Sequence, residues 1–175
     1  MIVRQERVGD VEAVSAIHRA AFPPPVEDPA ADPIEVGLLA ALRADDGWLP
    51  ALSLVAADAE APDDVVGHVV CTRAWVEDVP VLGLGPIAVR PDRQGAGIGS
   101  ALMHAVLGAA EALDAPLVGL LGAPGYYRRF GFVPSTDVGI VAPDPAWGGH
   151  FQVRPLGGVA QPTGRFRYAT PFDEL

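Results

Sequence analysis

Leu84-Gly-Pro-Ile-Ala-Val-Arg-Pro-Asp-Arg-Gln-Gly-Ala-Gly-Ile-Gly99 is the stretch whose reading decides the fold. An apolar run, Leu84–Val89, reads as the end of a strand. Glycines at 95, 97 and 99 follow a polar loop. Ile98, Leu102, Ala105, Val106, Ala109 and Leu113 then recur at spacings of three and four, which predicts a helix of about four turns. Three glycines at alternate positions let backbone N–H groups approach a ligand closely. The loop opens onto a helix N-terminus, where unpaired N–H groups and the macrodipole favour an anion such as a pyrophosphate. Arg90 and Arg93 add positive charge at its rim.

Two familiar phosphate motifs fail here on their own spacing. A Walker loop requires lysine, and the chain contains none; its 12 basic residues are all arginines. The dinucleotide fingerprint requires glycine where Ser100 stands. The missing lysine also excludes Schiff-base chemistry, and the missing asparagine excludes N-linked glycosylation.

Outward from the loop, the pattern alternates strands and helices without strict order, which indicates a mixed α/β sheet. Expected strands are Met1–Gln5 at an edge, Leu52–Ala57, Val65–Val76, and Val81–Val89 returning antiparallel after a turn at Glu77–Pro80. Leu117–Leu121, a strand starting at Phe132-Val133, Val138–Val141, Phe151–Pro155 and Arg165–Ala169 follow. Asp10 is the expected N-cap of a helix carrying Val11, Val14, Ile17 and Ala21. A second helix starts at Pro33, carries Ile34, Leu38, Leu39 and Leu42, and ends near Asp46-Gly47. Gly125–Phe130 reads as a short helix ended by Gly131. No repeat or linker interrupts the 175 residues, so one domain is expected over 1–175.

Apolar residues make up 50% of the chain, enough for a sizeable core, yet no apolar run approaches the roughly 18 residues of a membrane span. Cys71 stands alone, which fits a reducing compartment. Met1-Ile-Val-Arg-Gln-Glu6 lacks the apolar core of a signal peptide, so a cytoplasmic protein is expected. His18, His68, His104 and His150 are scattered without metal-ligand spacing, and no metal site is expected. Residues 1–80 hold 15 acids and 5 arginines, whereas 81–175 hold 7 of each. That balance argues against a nucleic-acid partner and leaves the loop half neutral.

Arg93-Gln94-Gly95-Ala96-Gly97-Ile98-Gly99 resembles the Q/R-x-x-G-x-G/A signature of GNAT-type N-acetyltransferases. Tyr126-Tyr-Arg-Arg-Phe-Gly-Phe132 looks like that family's second motif, F/Y-Y-x-x-x-G-F, and lies in the expected order. The resemblance covers roughly residues 1–155; residues 156–175 carry no family motif and form an extension ending in a last strand.

The resemblance implies an acyl-CoA N-acyltransferase fold, with one mostly antiparallel sheet flanked by helices and a splayed central strand pair. Acetyl-CoA would be the cosubstrate and a primary amine the acceptor, attacking the thioester directly. Ile87, Ala88 and Val89 would pair with the pantetheine arm. Arg93, Gln94, Gly95, Ala96, Gly97, Ile98, Gly99 and Ser100 would hold the pyrophosphate. Tyr127 stands where the family often has its general acid, with an aromatic lid on the coenzyme arm as its other role; Tyr126 reads as core.

The strand Val81–Val89 carries no acid, so no base carries over from the resemblance. Glu27 and Glu35 are the base candidates, with Glu77 behind them; a surface acid is the plainer role for each. His68 and His104 read as core histidines, Cys71 as a small buried hydrophobe, and His150 as a loop residue at the edge of candidacy. The acidic amino-terminal half points to a cationic amine: a small metabolite, an antibiotic or a peptide amine. A monomer or homodimer is expected. The missing strand glutamate keeps a second function open, a non-catalytic acyl-CoA-binding or regulatory module, and the acidic half a third, a protein-interaction domain.

Overall fold

The computed structural model describes residues 1–157 and 160–174. In chain order it contains β1 (Ile2–Gln5), α1 (Val11–Ala21), α2 (Ile34–Ala44), β2 (Ser53–Ala57), β3 (Val65–Val76) and β4 (Val79–Val89). Then come α3 (Ile98–Ala112), β5 (Leu117–Leu121), α4 (Pro124–Tyr127), β6 (Val133–Pro134), β7 (Ile140–Val141), β8 (Phe151–Pro155) and β9 (Gly164–Arg167).

The sheet runs β1-β2-β3-β4-β5-β8-β6. Neighbours along it are antiparallel except β4 and β5, which pair in parallel at Leu82↔Val118 and Gly83↔Gly119. Past Gly83 the two strands part. The register between β3 and β4 slips there as well: Cys71 faces Leu84 and Val69 faces Ile87, so Gly85-Pro86 supplies one extra residue. This bulge turns β4 away from β5. Both strands end on the same side, β4 in the glycine loop and β5 in Gly122–Tyr127. Ligands of parallel strands bind beyond such carboxyl ends.

The core has two main layers. On one face α3 buries Leu102, Met103 and Val106 against Val66, Val69 and Leu120. On the other, α1 and α2 bury Val14, Ile17 and Leu39 against Val55 and Val70. Each helix follows its apolar stripe.

Several local expectations shift. The chain takes a single 3-10 turn over Pro50–Leu52 before β2 begins at Ser53. The hairpin between β3 and β4 closes on Glu77-Asp78 alone, with Val76 facing Val79. Helix α2 ends at Ala44, because Asp45 adopts extended backbone. Pro33 precedes the first turn of α2 rather than entering it. Asp10 sits at the start of α1, yet its carboxylate turns back to accept from the Arg7 N–H at 2.7 Å and pairs with Arg4 at 2.6 Å. Ser135–Val138 forms a 3-10 turn, which leaves only Ile140–Val141 as strand.

Of the expected extension over 156–175, residues 158, 159 and 175 lie outside the described residues. Its strand, β9, pairs with the far end of β3 at Trp75↔Arg167 and Val76↔Phe166, and in parallel with β7. From there Phe166 and Tyr168 lay their rings on the central strands. A Cβ on Gly83 would stand 2.5 Å from Tyr168 Cδ1, and one on Gly119 2.6 Å from Phe166 Cε2. The paired glycines at the parallel junction thus make room for the carboxyl-terminal aromatics. Among the described residues no helix is long and apolar enough to cross a membrane.

Candidate active site

Two cavities lie along β4 near the point where it parts from β5, and Ile87 lines both. The first, of about 500 Å³, lies over the glycine loop. Ile87, Ala88, Val89, Arg93, Gln94, Gly95, Gly97, Ile98, Gly99 and Ser100 line it; Ala96 does not. Gly95 and Gly97 take φ of 76° and 82°, left-handed values that glycine alone adopts without penalty. A Cβ on either would meet nothing within 4 Å, so both face open space. The first bond inside α3 runs from Ala101 N–H to Gly97 O at 3.0 Å. The N–H groups of Ile98, Gly99 and Ser100 therefore precede any intrahelical partner and point out of the helix start. Gln94 closes the loop by donating from Nε2 to Val89 O at 3.0 Å.

The cationic side of this cavity differs from the sequence expectation. Arg93 lines it, 4.0 Å from Asp58. Arg90 does not line it: its guanidinium is held by Asp64 and Asp92, both at 2.8 Å. Arg129 supplies the second positive charge, its guanidinium 4.8 Å above the Tyr126 ring. Tyr126, expected in the core, is half-buried and lines the cavity, its hydroxyl 2.9 Å from where a Cβ of Gly99 would stand. Sequence reasoning passed over both residues, although the Tyr-Tyr-Arg-Arg run contains them.

The second cavity, of about 670 Å³, extends from the gap to the far side of β4. Leu84–Ile87, Leu121 and Tyr127 form its inner end. The tail of the chain and the start of α2 form the rest. The Tyr127 ring lies against Gly122, a position any Cβ would block, and stands edge-on to Tyr126 at 4.9 Å between ring centres. Burial, assisted by Tyr126, pushes its phenol up to about 12. The phenol therefore carries its proton throughout the working pH range.

Glu35 is half-buried on α2 and lines this second cavity with Tyr127; Glu27 is exposed and lines neither. Glu77 is occupied elsewhere, accepting from the Arg165 N–H at 2.6 Å. Cys71 is fully buried in the core under α3. His150 is exposed and lines neither cavity. His104, expected in the core, is exposed on α3, edge-on to Phe130 with 5.3 Å between ring centres. It lies next to the apolar stripe and was read as part of it.

His68 is fully buried, within a polar array assembled from residues far apart in the chain. It lies 3.0 Å from Ser53 Oγ, 3.4 Å from the Glu6 carboxylate and 3.1 Å from His18 Nε2. Arg43 closes the far end, donating to Glu6 at 2.6 Å.

A model of the Acetyltransferase (GNAT) domain matches residues 50–134, the span from β2 to β6. YjhQ, an uncharacterized N-acetyltransferase of Escherichia coli, is 36% identical over 148 residues, covering 78% of this chain and 79% of its own. The crystal structure of a GNAT family acetyltransferase from Brucella melitensis in complex with acetyl-CoA is 32% identical, with a TM-score of 0.76 over 98% of this chain and 97% of that one. That of YhbS from Escherichia coli in complex with CoA gives 0.81 at 28% identity, over 98% and 91%. With the bulged, splayed β4 and the glycine loop at the start of α3, these likenesses show that the chain belongs to the GNAT family of N-acetyltransferases.

Proposed function

We propose that this chain transfers the acetyl group of acetyl-CoA to a primary amine by direct attack, with no acyl-enzyme. The observation that carries the proposal is that Ile87 of β4, beyond the point where β4 and β5 part, lines both cavities. A coenzyme arm following β4 from the loop cavity brings its end out beside Tyr127.

Acetyl-CoA supplies the thioester carbonyl. Gln94 to Gly99 and the first turn of α3 hold its pyrophosphate, with Arg93 and Arg129 offsetting the charge. The open space over Gly95 and Gly97 fits that group. The second cavity presents the amine, whose nitrogen lone pair attacks the carbonyl carbon. As the C–S bond breaks, the Tyr127 hydroxyl gives its proton to the sulfur, and solvent restores it. The proton lost by the amine passes to water or to Glu35.

Thermal unfolding with increasing acetyl-CoA, combined with thiol release in the presence of amines, tests the proposal. The midpoint should rise with ligand, because a ligand bound only to the native state stabilises it. Thiol should appear only when amine is present. No shift at millimolar acetyl-CoA removes the coenzyme assignment. A shift without acetylation of any amine leaves a binding module instead.

A further inference from the structure

The second cavity is built from aromatic side chains. Six of the chain's twelve Phe, Tyr and Trp residues line it: Phe22, Tyr127, Trp147, Phe166, Tyr168 and Phe172. Ile34 and Leu38 of α2 add aliphatic surface opposite. Four of those aromatics follow β8 in the chain or precede it by one turn, and two lie over the glycines of the parallel junction. The cavity's composition is thus set by the same packing that seats the tail on the sheet.

The charge around it is balanced. Glu35 and Asp173 line the cavity, and so do Arg165 and Arg167. Among the described residues none of the four is in an ion pair, and the Arg167 guanidinium stands 5.0 Å over the Trp75 ring. The acidity of residues 1–80 therefore does not gather at this site. A polycation would bring its second ammonium into a site where Arg165 and Arg167 match Glu35 and Asp173, without a surplus of carboxylates to receive it. An amine with an apolar body instead replaces water along the walls and leaves only its nitrogen to be served at the thioester.

Given the acetyl transfer assigned above, on which this rests, we propose that the acceptor is a compact primary amine carrying an aromatic or branched apolar group. A polyamine and an aminoglycoside are the acceptors it excludes. Phe22, Leu38, Trp147, Tyr168 and Phe172 supply the apolar lining for that group.

Binding and turnover are measured separately so that the two assignments fail separately. Thermal shift in the presence of saturating CoA reads amine binding without chemistry. 2-Phenylethylamine and isoamylamine should each raise the midpoint, whereas spermidine at the same concentration should not. In thiol release, kcat/KM for 2-phenylethylamine should exceed that for spermidine by at least about ten-fold, a ratio that an apolar pocket supplies.

Trp147→Ala should raise the KM for 2-phenylethylamine about ten-fold and leave the acetyl-CoA-induced shift unchanged. Phe172→Leu provides a milder change of the same sign should Trp147→Ala fail to fold. Equal or better binding of spermidine, or an amine KM indifferent to both substitutions, overturns the apolar acceptor. Apolar amines that bind but are never acetylated uphold the acceptor class and overturn the transfer assignment.

Discussion

Phe166 stands where a side chain of Gly119 would be: a Cβ there would lie 2.6 Å from Cε2 and 2.8 Å from Cζ of the ring. Gly119 lies in the middle of β5, faces Gly83 of β4, and pairs with Val153 of β8. A glycine in a central strand costs backbone entropy. Here it admits the tail that walls the second cavity. Phe166 is 1% exposed and has nowhere to retreat. Gly119→Ala should therefore destabilise the protein by about 1–3 kcal/mol despite the better strand propensity of alanine. The urea midpoint measures it, and an unchanged or raised midpoint contradicts the packing described.

The elements that the sequence pattern located are those whose signals are local. Val65–Val76 and Leu117–Leu121 are largely apolar runs and Phe151–Pro155 alternates apolar and polar residues, and each strand has those bounds. The glycine loop and α3 were legible for the same reason, since alternate glycines and a 3.6-residue stripe need no partner to be recognised. The tail was not. Nothing near Phe166 or Tyr168 in the chain announces that their rings rest on Gly83 and Gly119, far away in sequence. Glu27 and Glu35 look alike on paper, and only the placement of α2 puts one at the cavity and the other in solvent. Charge counting sums over residues 1–80 and cannot place the acids, and the charges that line the second cavity come from α2 and the tail.

The buried histidines make stability depend on pH in a definite direction. Burial holds His18 down to about 3, with the charges of His68 and Arg43 adding to it, and burial also lowers His68. His18 is neutral in the native protein, whereas in the unfolded chain it takes a proton below about 6.5. Its contribution to stability is complete above that value and is lost progressively as pH falls from there towards about 3. Holding His18 neutral at pH 5 costs about 2 kcal/mol. Burial works against ionisation of Glu6, yet hydrogen bonds from His68 and Ser53 and the Arg43 charge bring it to about 2. Its contribution is lost only below about pH 4.5. Melting temperature should therefore decline from pH 7 to 5 and steepen below 4.5. His18→Gln should flatten the first part of the decline. An equal slope in wild type and variant contradicts a neutral buried His18.

At the loop, charge and backbone strain are separable at one position. Gly97 precedes α3 at φ 82° with open space beyond it. Gly97→Ala imposes the left-handed penalty alone, about 1 kcal/mol. Gly97→Asp imposes a similar penalty and adds a carboxylate facing the bound phosphates. The aspartate variant should bind acetyl-CoA at least about ten-fold more weakly than the alanine variant, with the gap narrowing as salt screens the repulsion. Thermal shift against acetyl-CoA at two ionic strengths reads both effects. Equal affinities in the two variants mean that the loop serves only as a turn.

Tyr127 is tested by removing one oxygen. Its ring packs against Gly122 and edge-on to Tyr126 and Phe132, contacts that phenylalanine retains. Tyr127→Phe should leave the acetyl-CoA-induced shift unchanged and lower kcat about 10²- to 10⁴-fold, the range for a positioned proton donor. The pH profile separates this role from a lid. With the phenol raised to about 12, wild-type kcat should show no falling limb below pH 10, while kcat/KM rises with deprotonation of the amine. In the variant, acceleration by the donor is gone but the amine limb remains, so the two profiles should run parallel, one far below the other. A variant with wild-type kcat makes Tyr127 an aromatic lid on the coenzyme arm. A wild-type falling limb near pH 10 means that the phenol ionises in its ordinary range and is not desolvated as the cavity requires.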